Sequence, residues 1–321
     1  MVLEWFAQYP FLFYSLIILA SLIIISKASD LAVFGISDYA KRLGLSDYLV
    51  GLVVVSLAAS MPELVAAING ALLGEGGIIF GTIMGSNIVE LTLVLGALAI
   101  VGKKIKLDVP ILSQTKMLLF GLNMLPFVLI GDNVLSRPDG AILIGAFAAY
   151  LAILWKREGK LGRLKKRVGL KNLYRDGLIF AGCLVAILIA SRLLVFSSIQ
   201  TAHLLGIAPF YIALTVIGIG SSMSDISVSI RSVLRGHTDV GFGNALGSNL
   251  TKSLLFLGVI ALIKPIEFGF GQLVNVFIFT IISLAFVLSW IRTKMVDWRK
   301  GLLLIGIYLV FLLVEWFLVF F

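Results

Sequence analysis

The sequence has little charge and little of the chemistry that soluble enzymes use. Its 321 residues include one cysteine and two histidines, and only 13% are Asp, Glu, Lys or Arg. The single cysteine, Cys183, excludes an internal disulfide, and neither His203 nor His237 has a partner at the spacing of a zinc site. No GxxxxGK[ST] motif occurs, which disfavours a P-loop ATPase. We therefore expect neither an enzyme nor a bound cofactor.

Apolar residues dominate instead. They make up 60% of the chain, and the mean hydropathy is +1.09. The sequence contains ten apolar runs long enough to cross a bilayer core of roughly 30 Å, and each must be helical because backbone groups in lipid have to pair within their own segment. The predicted spans are residues 10–28, 48–74, 77–101, 113–131, 139–155, 177–198, 209–234, 239–263, 269–291 and 301–320. These runs predict an all-α polytopic membrane protein.

The net charge of +9 is distributed as in a membrane protein rather than as in a nucleic-acid-binding protein. Of the 26 Lys and Arg residues, 22 fall in or beside the loops after spans 1, 3, 5, 7 and 9, and nine of these lie between Lys156 and Arg175. Three fall on the other side and one, Lys252, lies within a span. The positive-inside rule then predicts a cell-membrane protein with both termini outside. The run 156–175 is interpreted as a cytoplasmic linker in contact with membrane lipid.

The chain repeats itself at an offset of 162 residues. Residues 29–96 align without a gap with residues 191–258, and glycines and polar residues keep the register, as in Gly85/Gly247 and Asn87/Asn249. Such a match indicates an internal duplication. Because each half has five spans, an odd number, the second copy would enter the membrane in the opposite sense, which is typical of secondary transporters. We expect a first repeat at 1–155, the linker at 156–175 and a second repeat at 176–321.

Four ionisable residues fall in the middle of predicted spans. Counting at 1.5 Å per residue places Glu63 and Glu90 about 18–21 Å from one membrane face, and Asp225 and Lys252 at the same depth from the other face. A lone charge there costs roughly 2.5–3.5 kcal/mol on insertion scales, so such residues are functional candidates by default. The structural alternative is a pair of ion pairs that hold the two halves together.

Oxygen-bearing residues surround these charges and favour a cation site. Pro62 precedes Glu63, and glycines and serines cluster around Asp225, so helix interruptions are expected to free backbone carbonyls. Side-chain oxygens come from the serines and asparagines Ser60, Ser86, Ser222, Ser248, Asn87 and Asn249. Carboxylates with neutral oxygens suit hard cations such as Ca²⁺, which takes six to eight oxygen ligands. We therefore expect inorganic cations as the binding partners.

The same segments resemble a known family. The stretches SLAASMPELVAAI with GTIMGSNIVELTLVLG, and GIGSSMSDISVSI with GNALGSNLTKSLLFLG, are similar to the two alpha-repeats of the cation/calcium antiporter superfamily, which includes Na⁺/Ca²⁺ exchangers. The resemblance implies exchange of sodium, or in some branches protons or potassium, against calcium by alternating access at a central site. It places the two repeat acids at Glu63 and Asp225 and the serines of the GS segments at Ser86 and Ser248.

This chain departs from the family pattern at four positions. Ala59 stands where threonine is common, Ser224 replaces a proline, Glu90 replaces an asparagine, and Lys252 replaces an aspartate. Glu90 and Lys252 are equivalent positions of the two copies and could reach each other across the centre. Three carboxylates and one ammonium carry a formal charge of −2, so Lys252 could act as a tethered cation or a proton carrier. The alternatives are a monovalent cation/H⁺ exchanger, and a channel or non-transporting scaffold.

Overall fold

The chain folds almost entirely into helices. The computed structural model describes residues 9–42, 50–73, 76–106, 110–158, 170–267, 270–293 and 295–320. The α-helices are α1 Pro10–Arg42, α2 Ser56–Ala59, α3 Met61–Leu73, α4 Gly76–Val89, α5 Leu95–Gly102, α6 Pro110–Leu129, α7 Arg137–Glu158, α8 Leu170–Leu205, α9 Pro209–Ile212, α10 Gly218–Ser221, α11 Met223–Leu234, α12 Thr238–Leu250, α13 Leu257–Ile263, α14 Phe270–Thr293 and α15 Trp298–Phe320.

Four π-helical segments and four short strands complete the described structure. The π segments are π1 Val50–Val55, π2 Glu90–Val94, π3 Ala213–Ile217 and π4 Thr251–Phe256, and one 3₁₀ turn covers Ile130–Asp132. The strands are β1 Lys104–Lys106, β2 Val134–Leu135, β3 Ile266–Glu267 and β4 Met295–Asp297. Two of the π segments, π2 and π4, continue α4 into α5 and α12 into α13 without a break, so each of these runs forms one long helix. Single-turn π segments are frequent at functional sites.

Nine helical runs within the described residues are long and apolar enough to cross a membrane. They are Pro10–Ala28, Gly76–Gly102, Gln114–Asp132, Arg137–Leu154, Val185–Leu205, Pro209–Leu234, Thr238–Ile263, Leu273–Ile291 and Trp298–Leu318, and each overlaps one predicted span. The remaining predicted span, 48–74, begins and ends outside the described residues. Its described part is interrupted at Ser60, whose φ of −87° and ψ of 1° leave the helix, so Glu63–Leu72 counts only as a shorter apolar helix.

Two long helices, α1 and α8, pack against each other along their length. Ile18 and Ile25 of α1 are buried in one cluster with Ala190 and Leu194 of α8. Both helices are longer than the predicted spans 10–28 and 177–198. The predicted linker 156–175 is helical at both ends, because α7 continues to Glu158 and α8 begins at Leu170. Residues 159–169 of the linker lie outside the described part of the chain.

The long runs through π2 and π4 form the centre of the protein. Over an 18-residue window in Gly76–Gly102 and in Thr238–Ile263, 83% and 78% of residues are buried, against 22% in the window of the α1 span, which places these two runs inside the bundle. Two glycines allow the closest approaches. A Cβ on Gly85 of α4 would overlap the backbone of Leu214 in π3, and a Cβ on Gly247 of α12 would overlap the backbone of Leu52 in π1. Segment π1 of the first half therefore packs on α12 of the second half, and π3 of the second half packs on α4 of the first.

The order of elements repeats at the same offset as the sequence. Adding 162 to the bounds of α2, Ser56–Ala59, gives those of α10, Gly218–Ser221, and α4, π2 and α5 coincide with α12, π4 and α13 within one or two residues. The strands extend the correspondence beyond the region where the sequence aligns. β1 pairs with β4 and β2 pairs with β3, both antiparallel, so each small sheet joins one strand from either half of the chain.

Candidate functional site

The four ionisable residues expected at the centre come from four different elements. Glu63 and Asp225 lie in the first turns of α3 and α11, directly after the helix interruptions at Ser60 and Ser222. Glu90 is the first residue of π2, and Lys252 is the second residue of π4. The first turn of a helix presents free N–H groups and the positive end of the macrodipole, which favours a carboxylate there. All four side chains are fully buried.

Lys252 joins the three carboxylates. Its Nζ donates to Glu63 Oε1 at 2.7 Å, to Glu90 Oε1, and to Asp225 Oδ2 at 3.5 Å. The contact between Glu90 and Lys252 that the sequence predicted is present, and Lys252 reaches two further acids. The three hydrogens of one ammonium can serve three acceptors, so a single side chain crosses from the second half of the chain to both acids of the first.

Asp225 is held more fully than the two glutamates. Its Oδ1 accepts hydrogen bonds from Ser248 Oγ at 2.9 Å and from Asn244 Nδ2 at 3.0 Å. Asn244 also donates to Ser229 Oγ at 3.4 Å, and Ser229 donates to the carbonyl of Gly241 at 3.2 Å. Both oxygens of Asp225 are therefore engaged, and hydrogen bonds to a charged group are the stronger kind. This network fixes Asp225 in one orientation.

The six predicted serines and asparagines are all buried, but they differ in what they contact. Ser248 reaches Asp225, whereas Ser86 donates to the carbonyl of Ile83 in its own helix at 3.0 Å. Asn249 Nδ2 donates to the carbonyl of Asn87 at 3.1 Å, and Asn87 Nδ2 donates to Ser253 Oγ at 2.7 Å. These amides link the central helices of the two halves to each other.

Several buried oxygens around these charges have no hydrogen-bond partner within the described part of the chain. Those on the predicted site residues are Glu63 Oε2, Glu90 Oε2, Asn87 Oδ1, Asn249 Oδ1, Ser60 Oγ and Ser222 Oγ. Buried polar atoms are normally paired, so each unpaired one calls for an explanation such as a bound ion. Carboxylate, amide and hydroxyl oxygens form the donor set of a hard cation. The residues present therefore fit such an ion chemically.

The ammonium of Lys252 takes the position between the acids in this structure. Within the described residues, no group of three or more His, Cys, Asp and Glu side chains has an arrangement that could hold a metal ion. The three carboxylates surround Lys252 rather than a common point. With one ammonium among them, the formal charge is −2, and burying uncompensated charge is expensive.

Sequence reasoning missed Asn244, Ser229 and Ser253. For Asn244 the signal is its spacing, because it lies four residues before Ser248 and eight before Lys252, which puts the three side chains on one helix face. Thr82, Ser86 and Glu90 form the equivalent stripe in the first half. Ser229 and Ser253 carry no comparable signal, since their roles depend on which side chains lie opposite them.

Known proteins are similar to this chain in sequence or in the arrangement of their helices. The curated relatives include the "Putative antiporter CaxA" of Alkalimonas amylolytica, 28% identical over 259 residues that cover 78% of this chain and 81% of that protein. They also include the "Sodium/calcium exchanger MaX1" of Methanosarcina acetivorans, 26% identical over 348 residues that cover 94% and 98%. Among solved structures, an H⁺/Ca²⁺ exchanger, CAX, superposes with a TM-score of 0.75 at 16% identity and covers 98% of this chain and 90% of that one.

The family assignment rests on the sequence of both halves. The sequence profile of the family described as "Sodium/calcium exchanger protein" matches residues 13–156 and again 177–317, which together are most of the chain. Those two ranges contain all four buried charges and all six predicted serines and asparagines. This membrane protein therefore belongs to the sodium/calcium exchanger family, a family of ion antiporters.

Proposed function

We propose that the protein is a secondary active antiporter that moves Ca²⁺ or another cation against Na⁺ or H⁺. Its site is the group of buried charges around Lys252, with Glu63, Glu90 and Asp225 supplying negative charge. The names of the relatives support this class of function, because one is a sodium/calcium exchanger and another an H⁺/Ca²⁺ exchanger. In this protein the exchange proceeds by alternating access at mid-membrane.

The observation that carries the proposal is the residual charge at the centre. Three fully buried carboxylates face one ammonium, so the site is short of two positive charges. One divalent ion, two monovalent ions or two protons balance it. A site whose negative charge is balanced alternately by different cations can couple their movements. The reason is that uncompensated charge in a low-dielectric interior costs free energy, so the site changes conformation only with a cation bound.

The ligands of the cation are the oxygens left unpaired beside Lys252. Glu63 Oε2 and Glu90 Oε2 provide the charged ligands, and the amide oxygens of Asn87 and Asn249 with the hydroxyls of Ser60 and Ser222 provide neutral ones. Ser248 acts through Asp225, whose orientation it fixes. Ser86 belongs to the predicted site by position, although it bonds to its own helix here. A divalent ion bound to Glu63 Oε2 and Glu90 Oε2 lies next to the ammonium of Lys252, which repels it, so its binding favours movement of Lys252 away from these two acids.

Lys252 acts in this proposal as a tethered cation that occupies charge and space otherwise filled by a mobile ion. Fewer monovalent ions then bind together with the divalent ion, and the exchange becomes electroneutral. Lys252→Asp restores the acid typical of the family and should increase the charge moved per cycle and the demand for Na⁺. Unchanged selectivity and unchanged charge per cycle in this variant would show that Lys252 is not a tethered cation.

The architecture that goes with this function is ten transmembrane helices in two inverted five-helix repeats, with both termini outside the cell. The repeated order of elements and the strand pairs that join the halves support the two repeats, as does the separate match of the family profile to 13–156 and 177–317. The repeats are 1–155 and 176–321. The paired helices α1 and α8 slide past the central helices and open the site to each side in turn.

One specific observation favours a second candidate, a monovalent cation/H⁺ exchanger. Lys252 contacts all three acids, so a divalent ion has to compete with a covalently attached cation for the same carboxylates. Monovalent ions or protons need only the outer oxygens of Glu63 and Glu90. The two candidates differ in whether Ca²⁺ is carried at all.

Flux measurements in proteoliposomes distinguish these functions. Vesicles loaded with Ca²⁺, Mg²⁺ or Mn²⁺ are diluted into media with imposed Na⁺, K⁺ or H⁺ gradients, and uphill movement of one ion on the gradient of another identifies an exchanger. A channel only dissipates gradients and a scaffold moves nothing. Glu63→Ala should abolish flux, while Glu267→Ala, an exposed acid in β3, serves as the matched control. Flux that survives Glu63→Ala refutes the assigned site.

A further inference from the structure

A further buried acid lies outside the site around Lys252, beside a large apolar cavity. Glu315 of α15 is only 4% exposed, and its carboxylate has Asn275 of α14 as a hydrogen-bonding neighbour. Trp316 follows it in the sequence, and tryptophan is enriched at membrane interfaces. An ionisable side chain buried in a membrane-spanning helix is a functional candidate.

The cavity has the size and lining of a small-molecule site. Its volume is about 680 Å³, and its walls come from α1, the end of α8, the segment from Ile207 to Val216, and α15. Protein pockets that bind small molecules measure roughly 300–1,000 Å³ and combine apolar walls with a few polar groups. Among the described lining residues, Glu315 alone carries a charge.

Two threonine hydroxyls on the walls are occupied by their own helices. Thr201 Oγ1 donates to the carbonyl of Ser197 at 2.8 Å, and Thr215 Oγ1 donates to the carbonyl of Tyr211 at 2.7 Å. Glu315 is therefore the strongest acceptor that faces the cavity. A ligand that fits these walls is apolar along its body and positively charged at one end.

The depth of Glu315 in the membrane indicates where the charged end of the ligand would lie. Glu315 lies 17 residues after Trp298, the first residue of α15, which is about 25 Å along the helix axis and near the far side of a bilayer core of roughly 30 Å. This is the level at which the head group of a membrane amphiphile lies. The cavity also opens toward lipid, because Leu19 of α1 and Leu205 of α8 at its rim are at least half exposed.

We propose that the cavity binds a single-chain cationic amphiphile, with its ammonium on the Glu315 carboxylate and its hydrocarbon chain between α1, α8 and α15. Lipid tails are as apolar as these walls, so a hydrocarbon chain gains little by leaving the bilayer. The ion pair with Glu315 then supplies the selectivity. An occupant at this position contacts both α1 and α8, and it should slow any movement of that pair against α15.

Binding is tested with dodecylammonium, and with dodecanol as a neutral amphiphile of the same chain length. The protein is reconstituted in phosphatidylcholine nanodiscs, and empty nanodiscs correct for partition into lipid. We expect one saturable site for radiolabelled dodecylammonium in equilibrium dialysis and none for dodecanol. Equal saturable binding of dodecanol would mean that the cavity takes a hydrocarbon chain alone, and would overturn the proposal.

Two kinds of variant locate the site. Glu315→Gln should weaken dodecylammonium binding at least tenfold, and Glu315→Asp should keep most of it. Ser15→Trp places a large side chain on the α1 wall of the cavity and should also abolish binding, although it leaves the carboxylate intact. Each variant is checked for monodispersity before use. Undiminished binding in well-folded Glu315→Gln or in Ser15→Trp would overturn the proposal.

A measurement of ion flux tests the effect of the bound amphiphile on transport. It rests on the proposed exchange function, and its result is interpreted separately from the binding measurement. Dodecylammonium should slow ion exchange by the native protein by at least half, and Glu315→Gln should resist it while its flux without amphiphile stays near that of the native protein. Bound amphiphile that leaves the native flux unchanged would refute the restraint on α1 and α8. Absence of exchange in every protein would count against the proposed function, and the dialysis result would still decide the binding site.

Discussion

Lys252→Met is expected to destabilise the protein strongly in the absence of small cations. Methionine keeps an unbranched side chain of similar length but removes the ammonium that Glu63, Glu90 and Asp225 share. The formal charge of the buried group changes from −2 to −3. Removing one partner of a buried ion pair costs roughly 3–5 kcal/mol, and because one ammonium here serves three carboxylates, we expect a loss near the upper end, about 5 kcal/mol.

Thermal unfolding of the purified protein measures this effect. The native protein and Lys252→Met are compared in choline chloride, and Na⁺ or Ca²⁺ is then titrated in at constant ionic strength. A cation that binds the folded state at 100 times its Kd stabilises it by about 2.7 kcal/mol. We expect the variant to melt at a lower temperature in choline and to gain more from Na⁺ or Ca²⁺ than the native protein, because the ion replaces the missing charge.

A double variant controls for the loss of packing. Lys252→Met with Glu90→Gln returns the formal charge to −2 and leaves Glu63 and Asp225 as the buried acids. We expect it to regain most of the stability that the single variant loses in choline. If Lys252→Met melts like the native protein without cations, or if the double variant is no more stable than the single one, the charge of Lys252 does not balance the three acids.

Three further variants test the geometry of the site and its supports. Ser248→Ala removes a hydrogen bond to Asp225, and because bonds to charged groups are worth about 1.5–3 kcal/mol, the cation affinity should fall at least tenfold. The equivalent Ser86→Ala should change the affinity by less than about threefold, since Ser86 bonds only to its own helix. Equal effects of the two variants in a flux titration would contradict the assignment. Asn244→Leu should lower both the cation affinity and the melting temperature by freeing Asp225 Oδ1, a prediction that native-like values in both assays would refute. Gly247→Ala forces a methyl group into the backbone of Leu52 and should prevent stable folding, whereas the methyl group of Gly145→Ala on α7 meets open space. Comparable yields of monodisperse protein from the two variants would show that α12 does not pack tightly on Leu52.

The convergence of the charges could be predicted from the sequence because it depends only on helix rise. Counting residues from the hairpin tips places Glu63, Glu90, Asp225 and Lys252 at one depth, and the structure brings all four into contact through Lys252. The offset of 162 residues likewise anticipated the repeated order of elements. Depth and repetition are properties of the chain itself, so one sequence suffices to find them.

The direction of each side chain could not be predicted in the same way. Ser86 and Ser248 are equivalent in sequence, yet Ser248 reaches Asp225 and Ser86 bonds to Ile83. Both serines lie in equivalent helices, α4 and α12, so the difference depends on the groups that each serine faces in the folded protein. The cavity beside Glu315 could not be predicted either, since it depends on four elements that come together only in the folded protein.

The close approaches at Gly85 and Gly247 have a consequence for how a chain of this kind could arise. Gly85 meets Leu214 and Gly247 meets Leu52, and the residues at equivalent positions are identical, leucine with leucine and glycine with glycine. Two copies of the first half alone, assembled as a homodimer, would therefore repeat both contacts without changing a residue. The same homodimer would place Glu90 opposite a second Glu90. Only a second half with its own sequence can carry a lysine opposite Glu90, so the cation at the centre is a property that a symmetric dimer cannot have.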